Sequence, residues 1–94
     1  METTLARQKV IDHLTQIVAD CNEALAATDI WRDYPARDRA RSLFLFRETR
    51  DVASRLLHNI QNDEPVARAD WRRVMPRDDQ WNKLFRIIFV EHHG

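Results

Sequence analysis

The chain has one glycine, and it is the last residue, Gly94. No interior position therefore offers a residue that enters the positive-φ region freely, which tight two-residue hairpins and β-bulges rely on. Helices joined by polar connectors have no such need, and they are the architecture this sequence admits most readily. The same absence removes the P-loop and the dinucleotide fingerprint, since both bring backbone N–H groups close to phosphate. Nucleotide chemistry built on those motifs is excluded.

The hydrophobic period agrees. Over residues 4–27 apolar side chains fall at Val10, Leu14, Ile17, Cys21 and Leu25, with Ile11 and Val18 widening the stripe, and Thr3 or Thr4 can cap the start. Residues 28–35 are dense in turn formers and aromatics and read as an ordered connector, with Pro35 suited to the first turn of the next helix. A second long helix over 36–61 has Leu43, Phe46, Ala53, Leu57 and Ile60 on one side, extended by Leu45, Val52 and Leu56. Residues 65–74 form a short third helix that groups Ala67, Trp71 and Val74 or Met75 and stops at Pro76. Asp78 caps a fourth, running to about residue 92, in which Trp81, Leu84, Phe85 and Ile88 share a face. Its Ile87-Ile88-Phe89-Val90 run is rich in strand formers, but no other segment alternates well enough to pair with it.

The expected fold is all-α: one domain over residues 1–94, with two long antiparallel helices, a short third and a C-terminal fourth. Trp31-Arg32 followed by Arg37-Asp38 is echoed 40 residues on by Trp71-Arg72 and Arg77-Asp78, but two units fall short of the about three a solenoid needs.

Composition narrows the function classes. Lys plus Arg total 15 and Asp plus Glu total 15, so neither a strongly basic nucleic-acid binder nor an acidic mimic is indicated. The one Cys cannot form an internal disulfide, and no signal-peptide pattern precedes the first helix, so a reducing cytoplasm is the expected compartment. Apolar runs such as Leu43-Phe44-Leu45-Phe46 fall far short of the about 18 residues a membrane span needs.

Catalytic groupings are scarce. Ser42 and Ser54 lie within the second long helix without the strained turn that exposes a nucleophile, and Cys21 falls in the apolar stripe of the first. His13, His58, His92 and His93 show no metal-ligand spacing. Asp78-Asp79 and Asp63-Glu64 stand at helix starts, where capping and the dipole account for them, and Asp12 with Asp20 has no partner chemistry. No catalytic residue, metal or cofactor is expected, and the protein is read as a non-enzyme.

The surface is more informative. Between Arg32 and Arg55 seven Arg face four acidic residues. At about 100° per residue, Arg37, Arg41, Phe44, Arg47, Asp51, Arg55 and His58 project away from the apolar stripe of the second long helix. Phe44 among arginines is the composition of a binding hot spot, unless it tucks beneath the connector or the third helix. Arg outnumbers Lys 13 to 2, and pairs such as Arg47 with Asp51 and Asp51 with Arg55 are expected to neutralise part of that charge within the helix. In the last helix Ile87 and Val90 face away from Trp81 and its neighbours, so that segment calls for cover by the other helices or by a second chain.

The functional expectation is a protein-interaction module: a small inhibitor, adaptor or accessory subunit that binds a larger protein. Its contact residues would be Arg37, Arg41, Phe44, Arg47 and Arg55, or Trp81, Ile87 and Val90, with self-association through the C-terminal segment as a further expectation. The alternative is a nucleic-acid module whose Arg37, Arg41, Arg47 and Arg55 contact phosphates.

Overall fold

Without interior glycine, the chain reverses only where polar or proline-bearing segments interrupt the apolar period. The computed structural model describes the backbone of residues 2–93 and the side chains of residues 5–88. The roles expected of Thr3, Thr4, Val90, His92 and His93 fall on side chains outside the described residues. Five helices follow in order, α1 (Glu2–Ala26), α2 (Thr28–Arg32), α3 (Ala36–Gln61), α4 (Arg68–Val74) and α5 (Asp79–His93), with no strand among the described residues. The fold is all-α. The segment expected as a connector contains α2, a five-residue helix, and the strand-prone run 87–90 lies within α5.

Local chemistry sets the boundaries. Pro35 has no N–H to lose and stands just before α3, where its carbonyl accepts from the Arg39 N–H at 2.9 Å. Met75, the residue before Pro76, is extended at φ −98° and ψ 147°, which ends α4. The Trp81 N–H donates to Asp78 Oδ1 at 3.0 Å, so Asp78 caps α5 as its position implies. After α3, Asp63 takes φ 55°, a left-handed conformation usually given to glycine at a helix C-terminus. Arg7 secures that turn: its guanidinium donates to the Ile60 carbonyl at 2.7 Å and lies 2.9 Å from Asp63 Oδ1.

That clamp joins the start of α1 to the end of α3, whereas Cys21 lines a groove with Leu45 and Phe46, so the two long helices are antiparallel. One core fills one end of this hairpin. Val10 and Leu14 of α1 meet Val52, Ala53, Leu56 and Ile60 of α3, closed over by Val66, Trp71, Met75, Phe85 and Ile88. Burial of each large aliphatic there contributes about 1.5–3 kcal/mol, and the Trp71 and Phe85 rings meet at 5.1 Å in a tilted pair.

The other end is thinner. Cys21 and Trp31 are its buried side chains, and Trp31 of α2 acts as the plug: its indole N–H donates to the Ala24 carbonyl at 2.7 Å and its ring stands edge-on to Phe46 at 5.7 Å. The molecule is therefore long, 48 × 22 × 19 Å, and its radius of gyration of 15.2 Å exceeds the about 12 Å of a compact chain this size.

Candidate functional site

The contacts of α4 with α3 run from Arg55 to Glu48. Arg55 forms two hydrogen bonds to Asp70, and Arg73 pairs with Glu48. Toward the start of α3 the apolar stripe continues past this cover. Leu45, Val52 and Leu56 lie at i, i+7 and i+11 and so share a helix face. Val52 and Leu56 are buried at 5% and 0% exposure, whereas Leu45 is 51% exposed. Leu45, expected in the core, is a surface residue because α4 and α5 do not reach it.

Phe44 is 59% exposed. The contact with the Trp31 segment that would have hidden it belongs to Phe46, two residues on, which is half-buried. Ile30 and Tyr34, at 61% and 46%, add to the apolar surface around α2, and Tyr34 packs edge-on to Trp31 at 5.2 Å. Arg37, Arg41 and Arg47 are exposed and have no ion-pair partner among the described residues. The end of the hairpin thus presents large apolar side chains beside exposed arginines that form no ion pair among the described residues.

The ion pair expected of Arg55 is corrected by the structure. It does not pair with Asp51 along α3. Its Nε and Nη2 donate to Asp70 Oδ2 and Oδ1 in α4, both at 2.8 Å, and Asp51 instead takes Arg50 at 3.2 Å. A planar guanidinium finds a better acceptor in a carboxylate it meets with two parallel bonds than in one it reaches along its own helix. The fork holds the Asp70 carboxyl below its usual range, through the hydrogen bond first, against an opposing effect of burial. Arg55 therefore ties α4 to α3 within the bundle, and Arg47 has no bond to Asp51.

The C-terminal contact residues are largely spent inside the molecule. Trp81 is half-buried, packs its ring at a tilt against His13 at 4.5 Å and carries Lys9 over its ring at 5.7 Å. Ile87, expected to face outward, is half-buried, and Ile88 is fully buried. The cover that α5 requires comes from α1 and the shared core as far as Ile88. Val90 lies beyond the described side chains.

The remaining reactive groups have structural surroundings. Cys21 is 5% exposed, and burial first, then Asp20, push its thiol pKa up against the smaller pull of Arg50. The His58 ring stands 3.2 Å from the Asn62 amide at the end of α3. No helix among the described residues is long and apolar enough to cross a membrane.

Two features were not visible in the spacing. One is Leu45, which lies in the stripe and differs from Val52 only in what covers it. The other is a basic groove between α4 and α5, whose arginines are scattered over two helices. Comparison with protein-family models, with curated proteins and with solved structures finds no match.

Proposed function

We infer that this protein is a non-enzymatic interaction module that docks the thin end of its hairpin onto a larger protein, as a small inhibitor, adaptor or accessory subunit. The observation that carries this reading is the exposure of Phe44 and Leu45, consecutive on neighbouring faces of α3, together with that of Ile30 and Tyr34 in and after α2. Aromatic and Arg side chains dominate interface energetics, and Phe44 stands among Arg37, Arg41 and Arg47. The matching partner surface is an apolar cleft rimmed by carboxylates that wraps the two neighbouring faces of α3 carrying Phe44 and Leu45, while the arginines orient the approach.

Affinity capture of tagged protein from its host, with nuclease present, tests this directly. A stoichiometric protein retained by the wild type and lost by Phe44→Ser supports it, provided the variant keeps its helical circular dichroism. Equal capture by both removes the α3 surface from the interface. Capture abolished by nuclease, with affinity falling steeply in salt, would favour the nucleic-acid alternative instead.

A further inference from the structure

Between α4 and α5 lie two adjoining open hollows of about 290 and 330 Å³ that share Arg72 and Asn82. Arg86 lines the first and Arg77 the second, and no carboxylate lines either. Between residues 65 and 88 six basic side chains face three acidic ones, although the whole chain is neutral. Two of these charges are committed elsewhere, Asp70 to Arg55 and Arg73 to Glu48, and Asp78 caps α5. Arg72, Arg77 and Arg86 have no ion-pair partner among the described residues.

The polar lining is almost purely donor in character. Guanidinium groups only donate, and Asn82 can turn its amide NH₂ toward the hollow. The one buried side-chain polar atom without a partner among the described residues is Nε1 of Trp71, a residue of the same wall. Such a lining calls for a ligand that only accepts and that carries more than one negative charge. A carboxylate has two oxygens and a single charge, too little for Arg72 and Arg86 together. A phosphate monoester has three terminal oxygens and close to two charges near neutral pH.

We propose that the α4–α5 groove is a binding site for a phosphate dianion, held by Arg72, Arg86 and Asn82 of the first hollow, with Arg77 in the hollow beside it. The site is independent of the Phe44 surface, and it uses side chains rather than the glycine-rich backbone that this chain lacks.

Titration calorimetry at about pH 8, where the dianion prevails, tests it with inorganic phosphate and phenyl phosphate against acetate at matched ionic strength. Saturable binding of at least one phosphate probe and none of acetate is expected, with amide shifts on phosphate addition concentrated in residues 68–86. Tighter binding of phenyl phosphate assigns the site to a phosphorylated small molecule, and equal binding assigns it to free phosphate. Arg72→Gln and Arg86→Gln should each weaken binding at least about tenfold, as loss of a charge-assisted hydrogen bond requires. Arg37→Gln removes the same charge from a position that lines neither hollow and should leave the affinity within about twofold, since exposed charges outside the site are screened. Equal weakening by all three variants, acetate binding as well as phosphate, or binding of an oligonucleotide without either probe would overturn the proposal.

Discussion

Arg55 and Asp70 meet across the α3–α4 contact in a two-bond fork, with both nitrogen-to-oxygen distances at 2.8 Å. The Asp70 side chain is 18% exposed and that of Arg55 55%, so the carboxylate is the more sheltered partner. Its depressed pKa means that the folded state holds the ionised form more tightly than the unfolded chain does. The resulting stability is fully present above the ordinary carboxylate pKa of about 4 and is lost as pH falls toward the depressed folded value. Asp70→Asn should therefore unfold more readily than wild type at neutral pH, with the gap closing in acid. Urea titrations across the acid range check this, and a gap that widens in acid would contradict it.

Trp71 pairs near-complete burial with an unsatisfied indole N–H. Truncation to Ala opens a cavity beside Phe85 and should cost about 3–5 kcal/mol. Phe retains most of the apolar volume and removes the unpaired donor, so Trp71→Phe should stay within about 1.5 kcal/mol of wild type. Chemical denaturation distinguishes the two, and comparable losses would mean that the N–H has a partner in solution.

Arg7 holds both Asp63 and the Ile60 carbonyl. Arg7→Ala should destabilise by about 1–2 kcal/mol, largely through the hydrogen bond to the end of α3. Asp63→Gly loses an exposed ion pair but relieves a left-handed conformation, and these oppose each other to within about 1 kcal/mol. Thermal melts of the two variants should differ clearly, with Arg7→Ala the lower.

Cys21 is buried and its thiol is held protonated beyond its ordinary range. Reaction with a thiol reagent at mildly alkaline pH should be at least about tenfold slower in the folded protein than after denaturation, since only the thiolate attacks. Prompt labelling of the native state would show that the groove beside Leu45 and Phe46 opens.

The long helices were legible because their apolar residues recur at helical spacing over many turns, and Asp78 because capping is a local event. The extent of cover was not. Leu45, Val52 and Leu56 share one face, and what exposes the first is the reach of α4, a tertiary fact that no periodicity encodes. The pairing of Arg55 with Asp70 rather than Asp51 has the same origin, because the competing acceptor comes from another helix. Phe44 was legible as an outlier: it stands among charges on a face turned away from the stripe, and its exposure follows from that position.

Because Phe44 and Leu45 are both more than half exposed, replacing either by Ser should change folding stability by no more than about 0.5 kcal/mol. Leu56→Ala, at a fully buried position of the same helix, should cost about 2–5 kcal/mol. Urea midpoints of the three variants check this, and a large loss from Phe44→Ser would mean that the residue packs internally.

The most direct test of the docking surface places a photoactivatable phenylalanine at position 44 and, in a separate protein, at Ser54, an exposed position lower on α3. Irradiation in the host should yield one discrete protein adduct from position 44, unaffected by nuclease, and none from position 54. The same adducts from both positions, or none from position 44, would contradict a role for the thin end of the hairpin in binding a larger protein.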